Sequence, residues 1–258
     1  MRFLLASMIA FVSLTLPAWG ALKTQTVEYK QGDAVLEGYL AYDDSLTGKR
    51  PGILVVHEWK GLNGYAKRRA RMLAQLGYVA FAADIYGKGI RPQTIPDAAA
   101  ISSKFKADRP LLRARVNAGF DILKSQPSVD ISKLAAIGYC FGGTAVLELA
   151  RSGADVKGIV SFHGGLSSPT PWDAKNIKAR ILALHGAADP FVNADEVAAF
   201  EKEMTDAKVN YRLIKYPGAM HGFTNPDNKN VPPGALYNEA ADKASWIEMQ
   251  KFFKEIFV

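Results

Sequence analysis

Leu134-Ala135-Ala136-Ile137-Gly138-Tyr139-Cys140-Phe141-Gly142-Gly143-Thr144-Ala145-Val146-Leu147-Glu148-Leu149-Ala150 is the stretch from which the rest of the chain can be read. It opens with an apolar run of the kind a buried strand carries and closes with a helix-favouring run. Between them lies small-X-Cys-X-small, the pattern of a sharp strand-to-helix turn that exposes a nucleophile, with cysteine where serine is more common. Gly138 and Gly142 remove the Cβ atoms that such a turn brings into collision. A helix beginning just past the cysteine aims its free N–H groups and positive dipole end at the sulfur. That favours the thiolate, the nucleophilic form. A lone cysteine by itself reads as a small buried hydrophobe; the two glycines and the strand-helix context make Cys140 a candidate nucleophile.

Outward from this turn, buried strands alternate with helices. Residues 24–30 and 34–41 alternate apolar and polar around Gly32-Asp33, which predicts an antiparallel edge hairpin. Gly52-Ile53-Leu54-Val55-Val56 and Tyr78-Val79-Ala80-Phe81-Ala82-Ala83 are continuous apolar runs, expected of strands covered on both faces. A helix from about Tyr65 to Leu76 lies between them, so the three form a right-handed crossover in a parallel sheet. Two helices near 97–106 and 110–125 follow a Gly- and Pro-rich loop and together are placed over a site. Further strands are expected at 134–139, 157–162, 181–184 and 209–215, and a helix at 194–206. A closing helix runs from about Leu236 to Phe253, with Ala240, Ala241, Ala244, Ile247 and Phe252 as its apolar stripe. The fold class is α/β, a doubly wound, mostly parallel sheet of about eight strands flanked by helices.

The first twenty residues differ from the rest. Arg2, an apolar stretch from Phe3 to Leu16, the break at Pro17 and the small residues of Ala18-Trp19-Gly20 form a signal-peptide pattern. Cleavage before Ala21 leaves a single domain over residues 21–258, placed in the periplasm or secreted, with no membrane span; an uncleaved anchor is the alternative. The 258 residues include one cysteine, so no intrachain disulfide forms, and a free thiol in an oxidising compartment calls for a reason. The formal charge of +7 is scattered. One cluster, Lys67-Arg68-Arg69-Arg71, reads as a solvated helix face. This favours solubility and gives no case for nucleic-acid binding.

Cys140, Asp189 and His221 each follow an expected strand, and reactive groups in such sheets collect at the carboxyl ends of strands. Their order, nucleophile then acid then histidine, is that of α/β-hydrolases. In that arrangement His221 exchanges protons with the thiol and leaving group, while Asp189 fixes the imidazole tautomer. The backbone N–H groups of Phe141 and of the Glu58-Trp59 turn form the oxyanion hole. His57, His163 and His185 also follow apolar runs and are rival bases; chain order favours His221. His57-Glu58 lacks a second histidine at metalloprotease spacing, so neither metal nor other cofactor is expected.

Gly138–Gly143 together with His57-Glu58-Trp59-Lys60-Gly61-Leu62-Asn63 resembles the dienelactone hydrolase family. Asp84–Gly89, His185–Asp189, Met220–Phe223 and Tyr237–Ala241 extend the likeness over nearly everything after residue 24. The resemblance implies a Cys140–His221–Asp189 triad and a role for Glu58 in ionising the thiol. It also implies arginines that clamp a substrate carboxylate; Arg91 is the loose match to one, and Asn225 stands where another belongs. The expectation is a cysteine hydrolase acting on a small ester or lactone through an acyl-enzyme. The alternatives are a non-catalytic small-molecule binding protein on the same fold and a thiol redox sensor with an intermolecular partner.

Overall fold

A computed structural model describes residues 22–230 and 232–258; the leader expected over residues 1–20 lies outside them. The strands are β1 (Leu22–Gln31), β2 (Ala34–Asp43), β3 (Arg50–Val56), β4 (Val79–Ala83), β5 (Val129–Tyr139), β6 (Gly158–Phe162), β7 (Arg180–Gly186) and β8 (Tyr211–Tyr216). The helices are α1 (Gly64–Gln75), α2 (Ile95–Ala107), α3 (Arg109–Lys124), α4 (Phe141–Arg151), α5 (Ala194–Asp206) and α6 (Glu239–Ile256). One eight-stranded sheet runs in the order β1-β2-β4-β3-β5-β6-β7-β8. The β1–β2 and β2–β4 pairs are antiparallel and the rest parallel.

Period-two alternation in the central strands divides the core. Leu54, Val56 and Ala136 pack with α3, α4 and α5 on one face, whereas Ile53, Val55, Ala135 and Ile137 pack with α1 and α6 on the other. Helix starts are set locally: the side chains of Asn63, Asp108 and Asn238 accept backbone N–H bonds in the first turns of α1, α3 and α6. After β3 the chain lays β4 on one side, then crosses to place β5 on the other. Val56 and Gly138 end up in register at this switch point, so the segments leaving β3 and β5 open into one crevice.

Several details depart from the expectation. The strand expected at 134–139 begins earlier, at Val129, across an irregularity in register at Pro51/Gly52. Of the two helices placed over a site, α2 alone lines it; α3 buries Leu112, Val116, Phe120 and Leu123 against the sheet. Helix α6 turns Ala241, Ser245, Met249, Phe252 and Phe253 inward, leaving Ile247, Ala240 and Ala244 exposed. Ser245 tolerates burial because its hydroxyl bonds the Asp242 carbonyl at 2.9 Å. The cluster at 67–71 is not one solvated face. Arg69 is buried, ion-paired to Asp242 and set over the rings of Tyr65, Tyr139 and Trp246.

Candidate active site

Cys140 sits between β5 and α4 with φ 53 and ψ −115, a conformation that costs a non-glycine residue energy and persists only where its surroundings impose it. The glycines around it are sterically required. A Cβ on Gly138 would lie 1.9 Å from the Gly142 carbonyl oxygen, and one on Gly142 would lie 2.2 Å from that of Val56. The Cys140 N–H donates to the Phe162 carbonyl at 3.0 Å and to His163 Nδ1 at 3.1 Å. Its side chain stays partly accessible.

Two loops bring the other members. Asp189 lies just past β7, its Oδ1 accepting the Phe191 N–H at 2.8 Å. That leaves Oδ2 facing His221 Nδ1 at 2.8 Å, with the carboxylate side chain fully buried. A carboxylate only accepts, so Nδ1 carries the proton. His221 Nε2 then faces Cys140 Sγ at 3.0 Å. The loop backbone is pinned by His221 N–H to the Gly234 carbonyl and Leu236 N–H to the His221 carbonyl. Burial works against an imidazolium at His221. The negative charge of Cys140 and hydrogen bonds to Asp189 and Cys140 outweigh it and raise the pKa to about 10.

None of the three rival histidines is hydrogen-bonded to the sulfur. His57 donates from Nδ1 to the Glu58 carbonyl at 2.6 Å and accepts the Ile85 N–H at Nε2, and its burial pushes its pKa down to about 4. His163 faces the Cys140 amide rather than the sulfur. His185 is largely buried, and burial lowers its pKa.

A cavity of about 460 Å³ opens over the sulfur. Glu58, Trp59, Cys140, Phe141 and His221 line it, with Ala99, Ser102, Ser103 and Lys106 of α2 covering one side. Phe141 opens α4, so its N–H is among the first-turn donors that have no acceptor inside the helix. The Trp59 turn is held by Tyr86, whose hydroxyl donates to the Trp59 carbonyl at 3.0 Å. Glu58 is buried, and that burial raises its carboxyl above the ordinary range despite a 2.6 Å bond from Asn225 Nδ2 to Oε2. Asn225, read from sequence as a missing clamp, thus holds Glu58.

Arg91 is not where a substrate clamp belongs. Its guanidinium donates to the carbonyls of Leu62, Gly87 and Ile90 and lies 3.5 Å from buried Asp84. It joins the loop after β3 to the loop after β4 and is absent from the cavity lining. Among the described residues no arginine lines the cavity, whose lysines are Lys60 and Lys106 and whose acids are Glu58 and Asp227. No group of three or more His, Cys, Asp or Glu side chains suited to a metal ion occurs among the described residues, and none of their helices is long and apolar enough to cross a membrane.

Sequence reasoning placed Asn225 at a clamp position without its bond to Glu58, and it missed Thr224 and Tyr86 as parts of the site. Only their neighbourhood to His221 and to Asp84 hinted at them, since their partners are 167, 61 and 27 residues away.

Comparison with known proteins places most of the chain among hydrolases of one family. The structure named m3DLH superposes with a TM-score of 0.90 at 40% identity, covering 93% of this chain and 100% of that one. A dienelactone hydrolase-like promiscuous phosphotriesterase, P91, from metagenomic libraries superposes with a TM-score of 0.89 at 39% identity, over 93% and 100% of the two chains. A Bradyrhizobium protein named probable 2-oxo-3-(5-oxofuran-2-ylidene)propanoate lactonase is 31% identical over 192 residues, 69% of this chain and 75% of that one. Residues 36–257 match the model of the dienelactone hydrolase family, and the chain belongs to that family of α/β-fold hydrolases.

Proposed function

We propose that the protein hydrolyses small esters or lactones that carry no carboxylate needing a clamp, with Cys140 as nucleophile. The observation that supports this most is the relay Asp189 Oδ2–His221 Nδ1 at 2.8 Å and His221 Nε2–Cys140 Sγ at 3.0 Å, opening on a cavity. The raised His221 pKa fits a resting thiolate–imidazolium pair. Sγ forms a bond to the carbonyl carbon, and the π pair moves to oxygen, where the N–H groups of Phe141 and Trp59 receive it. As the tetrahedral species collapses, the C–O bond to the leaving group breaks and His221 Nε2–H protonates the departing oxygen. A thioester remains on Cys140. Water attacks it, giving a proton to His221, and the carboxylic acid leaves as the thiolate reforms.

Among the described residues no arginine of the cavity lining offers a carboxylate bidentate recognition; Arg91 is engaged elsewhere and Asn225 is bonded to Glu58. This favours uncharged substrates. Neutral phosphotriesters are a second class, suggested by the 39% identical P91. The signal-peptide pattern of residues 1–20 supports action outside the cytoplasm; N-terminal sequencing of the exported protein is expected to begin at Ala21. A panel of p-nitrophenyl acetate, enol-lactones and p-nitrophenyl phosphotriesters is expected to show turnover that Cys140→Ala abolishes. Retained ligand binding without turnover in the wild type would instead make it a binding protein.

A further inference from the structure

His163 is unlike the other buried histidines. It follows β6 with φ 41, a backbone region uncommon for residues with a side chain, and is fully buried. Its Nδ1 accepts the Cys140 N–H at 3.1 Å, and burial, first, with the neighbouring His221 and Arg69 charges, holds its pKa well below the ordinary value. It is therefore neutral with its proton on Nε2, which donates to Thr224 Oγ1 at 2.7 Å. Thr224 stands three residues beyond His221 in the same loop. One imidazole thus spans from the nucleophile's amide to the loop that carries the base. The His221 ring packs edge-on against it, with centroids 5.4 Å apart.

The far end of this span is anchored to the body of the fold. The Thr224 and Tyr65 hydroxyls are 2.6 Å apart. Arg69 donates to the Tyr65 hydroxyl at 3.2 Å and to the Thr224 carbonyl at 2.7 Å, and pairs with Asp242 of α6. Phe223 closes over His163 at a centroid distance of 5.2 Å. The side chains of this row are therefore joined by hydrogen bonds from Cys140 to α6, and such a connected row is stiff.

We propose that His163 and Thr224 are positioning residues, a strut that fixes the separation of Cys140 Sγ from His221 Nε2 by joining the two loops that carry them. The proposal rests on the thiolate–imidazolium reading of the site. A shift of about 1 Å in such a pair costs about 10²-fold in rate, and the strut is a side-chain link between these loops that does not pass through the reacting atoms.

The test is the pH dependence of Cys140 alkylation by iodoacetamide, with kcat and KM for p-nitrophenyl acetate, in wild type, Thr224→Val, Thr224→Ser and His163→Asn. Valine keeps the volume and removes the hydroxyl. Asparagine tolerates the positive φ and keeps an acceptor for the Cys140 N–H, but falls short of Thr224. Thr224→Val and His163→Asn are expected to retain the wild-type circular dichroism and KM. They should lose about 10²-fold in kcat, with alkylation moving toward the ordinary thiol pKa of about 8.5. Thr224→Ser is expected to recover the wild-type profile. Should Thr224→Val not fold, His163→Asn carries the same reading. Wild-type alkylation profiles and kcat in both variants would overturn the strut alone. An ordinary thiol profile in the wild type would overturn the ion pair and the strut together.

Discussion

Asp189→Asn tests the relay at its most constrained point. Asp189 Oδ1 accepts the Phe191 N–H at 2.8 Å, so an asparagine at this position keeps its oxygen there and turns its NH2 toward His221. The amide then donates to Nδ1, which must give up its proton, and the imidazole is held with its proton on Nε2. In that tautomer Nε2 cannot take a proton from the thiol. The charge is lost as well. A unit charge 2.8 Å from the ring nitrogen in an effective dielectric of about 20 is worth about 6 kcal/mol, or about four powers of ten in rate. Asparagine is nearly isosteric, so the fold should be kept. The assay is kcat/KM on p-nitrophenyl acetate across pH, with iodoacetamide alkylation as the substrate-free readout. A loss of about 10⁴-fold is expected. Activity within tenfold of wild type would refute the reasoning, because the carboxylate would then be neither steering nor charging the imidazole.

Three further outcomes are expected. Gly142→Ala places a Cβ 2.2 Å from the Val56 carbonyl oxygen and 2.7 Å from that of His57; neither can give way as a side chain does, so destabilisation of at least about 1–3 kcal/mol is expected in denaturant melts. Arg151→Met leaves Glu203, largely buried, without the cation that bonds it at 2.7 Å, while Glu148 keeps Arg113 at 2.7 Å, and a loss of about 3–5 kcal/mol is expected by the same measurement. Glu58 carries a pKa raised from 4.5 by burial, so the folded chain holds this proton more tightly than the unfolded one. Its carboxyl therefore costs no stability below 4.5 and an increasing amount as pH rises through the folded value. The Tm of Glu58→Gln relative to wild type is expected to climb with pH over that range, and a flat difference would contradict it.

The backbone architecture was readable because each signal was local. The apolar runs at 52–56 and 78–83 marked buried strands, and the glycines flanking Cys140 marked the turn, since no side chain fits there. Chain order picked out Cys140, Asp189 and His221, the three side chains that meet in the structure. What escaped was set by tertiary partners. Arg69 lies in a run of basic residues that looks solvated, yet Asp242 on α6, 173 residues away, draws it inside. Ile247 looked like core, but the inward face of α6 runs through Ala241, Ser245 and Met249, and an internal hydrogen bond lets the Ser245 hydroxyl be buried. Arg91 and Asn225 share a lesson. Arginine and asparagine types suggested the presence and absence of a substrate clamp, but their partners are the Leu62 carbonyl and Glu58. No spacing rule connects a residue to a carboxylate 167 positions away.

The central claim, a covalent acyl-enzyme on Cys140, is tested most directly by acid-quenching the enzyme during turnover of a p-nitrophenyl ester and measuring its intact mass, followed by peptide mapping. A mass gain of one acyl group is expected, located on Cys140 as a thioester that hydroxylamine removes, with no such gain in Cys140→Ala. Turnover that continues in Cys140→Ala, with no acyl group on the wild-type cysteine, would contradict it.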